Sequence, residues 1–138
     1  MTSFYLAGHA LIKKSGKYLV TRRSSRNDYM PLKWDIPGGT IESGERVEEG
    51  LEREVMEEAG IRIRIERVLY IYTNLSQLPE RQTFQSVYLC SYVQGDVRTD
   101  PEEHDQFAWL DKEEMKQIDT IAFLREFLNS AAFQTQVS

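Results

Sequence analysis

Three features of the sequence predict an α/β fold with a mixed central sheet and helices on opposite faces. Alternating apolar and polar segments mark two strands before, and two after, one strongly amphipathic helix. A second helical region follows near the end, so the element order β–β–α–β–β–α suits a sheet covered on both sides. The length of 138 residues, read as a single domain over 1–138, matches one compact core.

The elements follow in order. "FYLAGHALI" and "KYLVTRR" flank "KSGK" and read as two strands around a tight turn. "SSRNDYMPLK" is polar and proline-punctuated, hence a loop. "WDIPGG" reads as a short strand end breaking into a turn. The glutamate-rich segment beyond it forms a helix opened near Ser43 and Gly44 and closed by Gly60. "IRIRIERVLYIYTNL" alternates as a long strand bent near Glu66 or Arg67, and after "SQLPERQ" the segment "TFQSVYLCSYVQG" is another strand. "DVRTDPEEHDQ" is a loop, "FAWL" a short strand, "DKEEMKQI" helical turns, and "TIAFLREFLNSAA" a C-terminal helix.

Composition narrows the function. The net charge of −5 argues against a DNA footprint, yet a phosphorylated substrate stays compatible where metal cations mediate the contact. No apolar run approaches the roughly 20 residues of a membrane span, and the N-terminus does not read as a secretory signal. Cys90 is the sole cysteine, which excludes an internal disulfide and a multi-cysteine zinc site. A reduced, cytoplasmic setting is expected, and a homodimer is left open.

Seven glutamates occupy the fourteen positions from Glu45 to Glu58. At about 100° per residue, Val47, Leu51 and Val55 mark the buried arc of the helix. Glu49 and Glu52 fall well away from its middle, and Glu45 falls opposite it, where solvation is a sufficient explanation. Glu54 and Glu58 fall inside the apolar arc, and Glu57 borders it. An unpaired buried carboxylate costs several kcal/mol, so these three must meet a cation or line an opening. Their i, i+3, i+4 spacing puts all three on one face, where they repel one another unless a hard cation relieves them.

Gly39, then Glu45 after five residues, then "REVMEEAGI" after seven more resembles the Nudix box, with Gly39, Glu45, Arg53, Glu54, Val55, Glu57, Glu58, Gly60 and Ile61 all in place. "WDIPGG" resembles the usual entry to the box, and "EHDQFAW" the acidic loop before a strand tryptophan, so the likeness runs from about residue 5 to 128. The resemblance implies the Nudix-type α/β/α sandwich with its loop–helix–loop. It also implies Mg²⁺-dependent (or Mn²⁺-dependent) hydrolysis of a nucleoside diphosphate linked to another moiety. By that similarity Glu54, Glu57 and Glu58 are metal ligands, with the Gly38 carbonyl a further donor. Arg53 orients the carboxylates, Glu45 holds Arg53, and Gly38 and Gly39 let the chain turn and approach phosphate. The general base is either Glu54 or an acid on the distal loop, where "EH" before the tryptophan selects Glu103 as the metal-binding or base candidate. His104 is then a neighbour of the base, and His9 a packed or hydrogen-bonded strand residue. The one departure, Gly50 where many members carry alanine, leaves a small residue beside the carboxylate face.

The substrate is less legible. Arg23 and Lys33 lead towards the box loop and are expected to meet phosphates, and Tyr29 to stack on a base. "YIYTNLSQLPE" fits no familiar subgroup, so a nucleoside triphosphate, a nucleotide sugar and a dinucleoside polyphosphate all remain open. Two other classes compete with hydrolysis. A nucleotide-sensing module of the same fold would commonly lose box acids, and this sequence has lost none. A purely structural acidic helix would not place Glu54 and Glu58 on its apolar arc.

Overall fold

The computed structural model describes residues Met1–Ser138. Strands β1 (Ser3–Lys14) and β2 (Lys17–Arg23) enclose the tight turn, where Gly16 takes the positive φ of 78° that the reversal requires. Two short strands, β3 (Trp34–Asp35) and β4 (Gly38–Thr40), precede helix α1 (Val47–Ala59). Then come β5 (Arg62–Asn74), β6 (Arg81–Gln94), β7 (His104–Leu110), α2 (Lys112–Met115), α3 (Ala122–Leu128) and α4 (Ala131–Gln136).

The sheet is mixed, as expected. β1 pairs in parallel with β6 over its length, from Ser3↔Arg81 to Lys13↔Ser91, while β5 pairs antiparallel with β6. On its other side β1 forks. Its N-terminal half takes β4, with Ala7↔Thr40 and His9↔Gly38, and its C-terminal end takes β2, with Lys13↔Tyr18. This fork brings Gly38 and Gly39 alongside the first strand and under the helix.

Successive side chains of a strand point to opposite faces, and the core divides accordingly. Ala10, Ile12 and Leu19 pack under α1 with Leu51, Val55 and Ala59. Leu11, Tyr18 and Val20 face the other way onto Leu124, Phe127 and Phe133 of α3 and α4. The result is the α/β/α layering.

Four local expectations need correction. Gly38 and Gly39 lie in a paired strand, not a turn, and neither has a positive φ. The helix opens at Val47, so Glu45 lies before it and its wheel position does not apply. β7 begins at His104 because β2 offers partners from Tyr18 to Arg23. The C-terminal helix is two helices, broken at Asn129–Ser130, where the Ser130 hydroxyl accepts the Phe133 N–H and caps α4. The bend in β5 falls where expected, with a bulge between Ile65 and Arg67.

Candidate active site

α1 buries Gly50, Leu51, Val55 and Ala59 and leaves Glu48, Glu49 and Glu52 in solvent. Glu54 and Glu58 are partly buried, as their helical phase requires, and Glu57 is exposed at the edge. Arg53 organises the outer part of the cluster. Its guanidinium donates to both oxygens of Glu45, Nε to Oε2 at 2.7 Å and Nη2 to Oε1 at 3.0 Å. Its Nη1 reaches Glu54 at 3.0 Å and Glu57 at 3.2 Å. Such a fork suits a planar cation with several fixed donors. It holds the Glu45 carboxyl down at about 2, well below the ordinary carboxylate range.

Glu58 is in the opposite situation. Its Oε2 accepts the Gly38 N–H at 3.0 Å, and no guanidinium or ammonium forms an ion pair with it. Burial pushes its carboxyl up to about 8, against the lowering effect of the Gly38 N–H, and the neighbouring charges of Asp35 and Glu54 push it further. Asp35 is itself buried and raised for the same reason; its Oδ1 accepts the Ile36 N–H at 2.7 Å. Glu54 is also raised, by burial first, with Arg53 opposing.

Glycine is required here for close approach. A Cβ on Gly39 would lie 2.5 Å from Glu54 Oε2, and one on Gly38 would lie 2.2 Å from the Gly8 carbonyl oxygen. Gly50 is fully buried, where a Cβ would crowd the side-chain ends of Ile41 and Glu45 at 2.8 and 2.9 Å. The small residue there makes room for the turn that carries Glu45.

A void of about 280 Å³ opens over this face, lined by Glu54, Glu57, Glu58, Asp100, Glu103 and His104. The distal loop is thereby sorted. Glu103 faces the void, Glu102 pairs outward with Arg26 at 2.5 Å, and Asp105 accepts both Nε and Nη2 of Arg22 at 2.9 Å. Burial lowers the His104 pKa, which favours the neutral ring. Two acids escaped the sequence reading. Asp100 was one more charge in an acidic run; its Oδ1 accepts the Glu102 N–H at 3.0 Å and so shapes the loop turn. Asp35 lay inside a segment read only as a strand end.

The donor chemistry fits a hard divalent cation, since five carboxylates line the void and no lysine or arginine does. No three of them converge as a closed ligand set, because Glu54 and Glu57 turn onto Arg53 and Glu58 onto Gly38. An ion that engaged Glu54 and Glu57 would compete with Arg53 for both.

The basic candidates lie elsewhere. Arg23 donates from Nε to the Tyr29 carbonyl at 2.7 Å and from Nη2 to Asn27 Oδ1 at 2.7 Å, with Asp35 at 3.7 Å from Nη1. Lys33 Nζ sits between both oxygens of Asp119 at 2.9 and 2.8 Å. Neither lines the carboxylate void. Tyr29 is exposed and borders a second groove of about 280 Å³, whose walls include Tyr5, Thr40, Asn74, Arg81 and Gln85. His9 is packed, as expected, against Phe123 with ring centroids 4.5 Å apart, its Nε2 2.6 Å from Gln85 Oε1. Cys90 is fully buried and its thiol is pushed up to about 12 by that burial, which excludes a nucleophile.

The NUDIX domain family matches residues 5–130. The chain belongs to the Nudix family. Among its relatives is the nucleoside triphosphatase NudI of Klebsiella pneumoniae (strain 342), 31% identical over 128 residues that cover 86% of this chain and 90% of the relative. NudI of Escherichia coli O139:H28 (strain E24377A / ETEC) is 28% identical over 127 residues, covering 86% and 89%. The crystal structure of the MutT protein from Methanosarcina mazei Go1 superimposes with a TM-score of 0.81 and 28% identity, over 98% of this chain and 96% of that one. This protein is accordingly a Nudix pyrophosphohydrolase acting on small nucleotide substrates. Nudix hydrolases typically need a divalent metal. No helix of this chain is long and apolar enough to cross a membrane.

Proposed function

We propose that residues 1–138 form one catalytic domain that hydrolyses a nucleoside triphosphate with Mg²⁺, Mn²⁺ serving in its place, in a reduced cytoplasmic setting. The observation that carries this is the void framed by Glu54, Glu57, Glu58, Asp100 and Glu103, with Glu54 also held by the Arg53 fork. The named relatives, nucleoside triphosphatases, favour a triphosphate over a nucleotide sugar or a dinucleoside polyphosphate.

Glu54, Glu57 and Glu58 would hold the metal, with the Gly38 carbonyl a further donor. When bound there, divalent ions neutralise phosphate charge and make water a stronger nucleophile. The chain supplies the rest. Arg53 keeps the carboxylates oriented, and Glu45 keeps Arg53 in place. An acid accepts the proton of the attacking water as its oxygen bonds to phosphorus and the bridging P–O bond breaks. Glu103 suits that role better than Glu54, because Glu54 is already tied to Arg53 at 3.0 Å. The nucleoside end would lie in the second groove, reached across β4 through Thr40 and bordered by Tyr5 and Tyr29.

A substrate panel in Mg²⁺, reading pyrophosphate, phosphate and mononucleotide, tests this reading. Turnover of nucleoside triphosphates, abolished by exhaustive chelation, is expected. Preferred turnover of a nucleotide sugar would move the substrate class, and tight nucleotide binding without turnover would favour a sensing module.

A further inference from the structure

The acid that faces the void from the distal loop sits on a loop of its own, with an exposed side chain. Something must therefore set its distance from α1, and the contacts identify what does. Ser24, just past the end of β2, is 3% exposed. Its hydroxyl donates to the Glu102 carbonyl at 2.5 Å and its N–H to the Glu103 carbonyl at 2.9 Å. Both carbonyls flanking the Glu103 Cα region are thus held by one residue. The pairing arises at an irregularity in the β2–β7 ladder, where the register shifts between Arg22 and Arg23 and Arg23 meets His104. Bulges commonly re-aim side chains beside active sites. From the far side, Asp100 closes the turn, its carbonyl accepting the N–H groups of Glu103 at 2.9 Å and His104 at 2.8 Å.

We propose that Ser24 is a positioning residue for catalysis, fixing the backbone of Glu103 so that its carboxylate faces Glu54, Glu57 and Glu58. This rests on the reading of Glu103 as base or ligand. Ser24 does not line the void and makes no hydrogen bond to Glu54, Glu57 or Glu58, so its effect must pass through the distal loop. The neighbouring Arg26–Glu102 ion pair is exposed on both sides and holds only a side chain, so it is a built-in control.

A double-mutant cycle tests the proposal. Ser24→Ala should lower kcat about 10-fold with KM little changed, the range expected for a residue that orients a catalytic group. Ser24→Thr, which keeps the hydroxyl, should recover most of the loss, and Arg26→Gln should lose none. In the Glu103→Gln background, Ser24→Ala should cost nothing further. Amide exchange of Glu103 and His104 should quicken in Ser24→Ala while that of α1 is unchanged, a readout independent of turnover. Full activity of Glu103→Gln alone would remove the reading of Glu103 and this proposal with it. A loss in Glu103→Gln that adds to that of Ser24→Ala would overturn the proposal and leave Glu103 standing. Faster exchange across α1 as well would make Ser24 merely a stabilising residue, and that too would overturn it.

Discussion

Glu45 and Glu58 are the same residue type in one stretch of chain, and the fold drives them in opposite directions. Glu45 meets a guanidinium fork and is held down at about 2; Glu58 meets a backbone N–H, two acidic neighbours and little water, and is pushed up to about 8. The lesson is that the acidic stretch has two parts. One is neutralised by Arg53; the other, around Glu58, meets no cationic side chain. Glu54 belongs to both, hydrogen-bonded to Arg53 and close enough to Glu58 to raise its pKa.

The largest effects should come from the acids proposed as metal ligands. Glu58→Gln and Glu57→Gln should each lower turnover in Mg²⁺ by about 100-fold or more, since on the proposed reading each removes a metal ligand. Neither should lower the thermal stability of the chelated protein, because Glu58→Gln exchanges a buried carboxyl for a neutral amide and Glu57→Gln gives up only an exposed ion pair to Arg53. Steady-state kinetics with a parallel melting curve reads both. An unaffected turnover in Glu58→Gln would erase the distinction between the two parts.

The neutralised part should come next. Arg53→Lys keeps the charge and loses the fork, so kcat should fall by about 10- to 100-fold. A lysine that restored full activity would show that charge alone, without the bidentate hold on Glu45, suffices.

A smaller effect should appear in the pH dependence of stability in chelator. Glu58 keeps its proton in the native state up to about pH 8, whereas its ordinary value is 4.5. Between those values the native state holds more protons than the unfolded state, so stability falls as pH rises. Glu45 has the opposite sign. Its contribution is present above its ordinary value of 4.5 and is lost as pH falls towards 2. Thermal melts across this range should show both limbs. Glu58→Gln should flatten the alkaline limb and Glu45→Gln the acid limb; an exchange of those assignments would refute the contrast.

The smallest effect marks the boundary of the cluster. Glu49→Gln and Glu52→Gln lie on the exposed face, where Glu49 pairs only with the exposed Arg46 at 3.5 Å. Each should change stability by no more than about 0.5 kcal/mol and leave turnover intact. A large loss at either would mean that the active face is wider than Glu54, Glu57 and Glu58.

Much of this was legible in one dimension. Helical periodicity alone put Glu54 and Glu58 on the inner side of α1 and Glu49 and Glu52 outside, because a repeat of about 3.6 residues is a local property. The element order likewise placed helices on opposite faces of the sheet. The Arg53–Glu45 pairing spans eight residues and came with the box spacing. The strand character of Gly38–Thr40 was not legible, since it depends on β1 accepting β4. The expectation that Gly39 serves a turn gave way to one in which it admits the Glu54 carboxylate.

What the sequence by itself determined is therefore the arrangement of the acids: which of them share a helix face and, through the resemblance to the Nudix box, which arginine steadies them. Only the tertiary structure decided that Asp100 joins Glu103 beside them, that Asp35 stands beside Glu58, and that Ser24 grips the distal loop. The reason is distance along the chain. Ser24 and Glu102 are 78 residues apart, and their contact exists because β2 and β7 pair with a shifted register. No local repeat encodes such a meeting; it follows from backbone hydrogen bonding that every strand must satisfy somewhere.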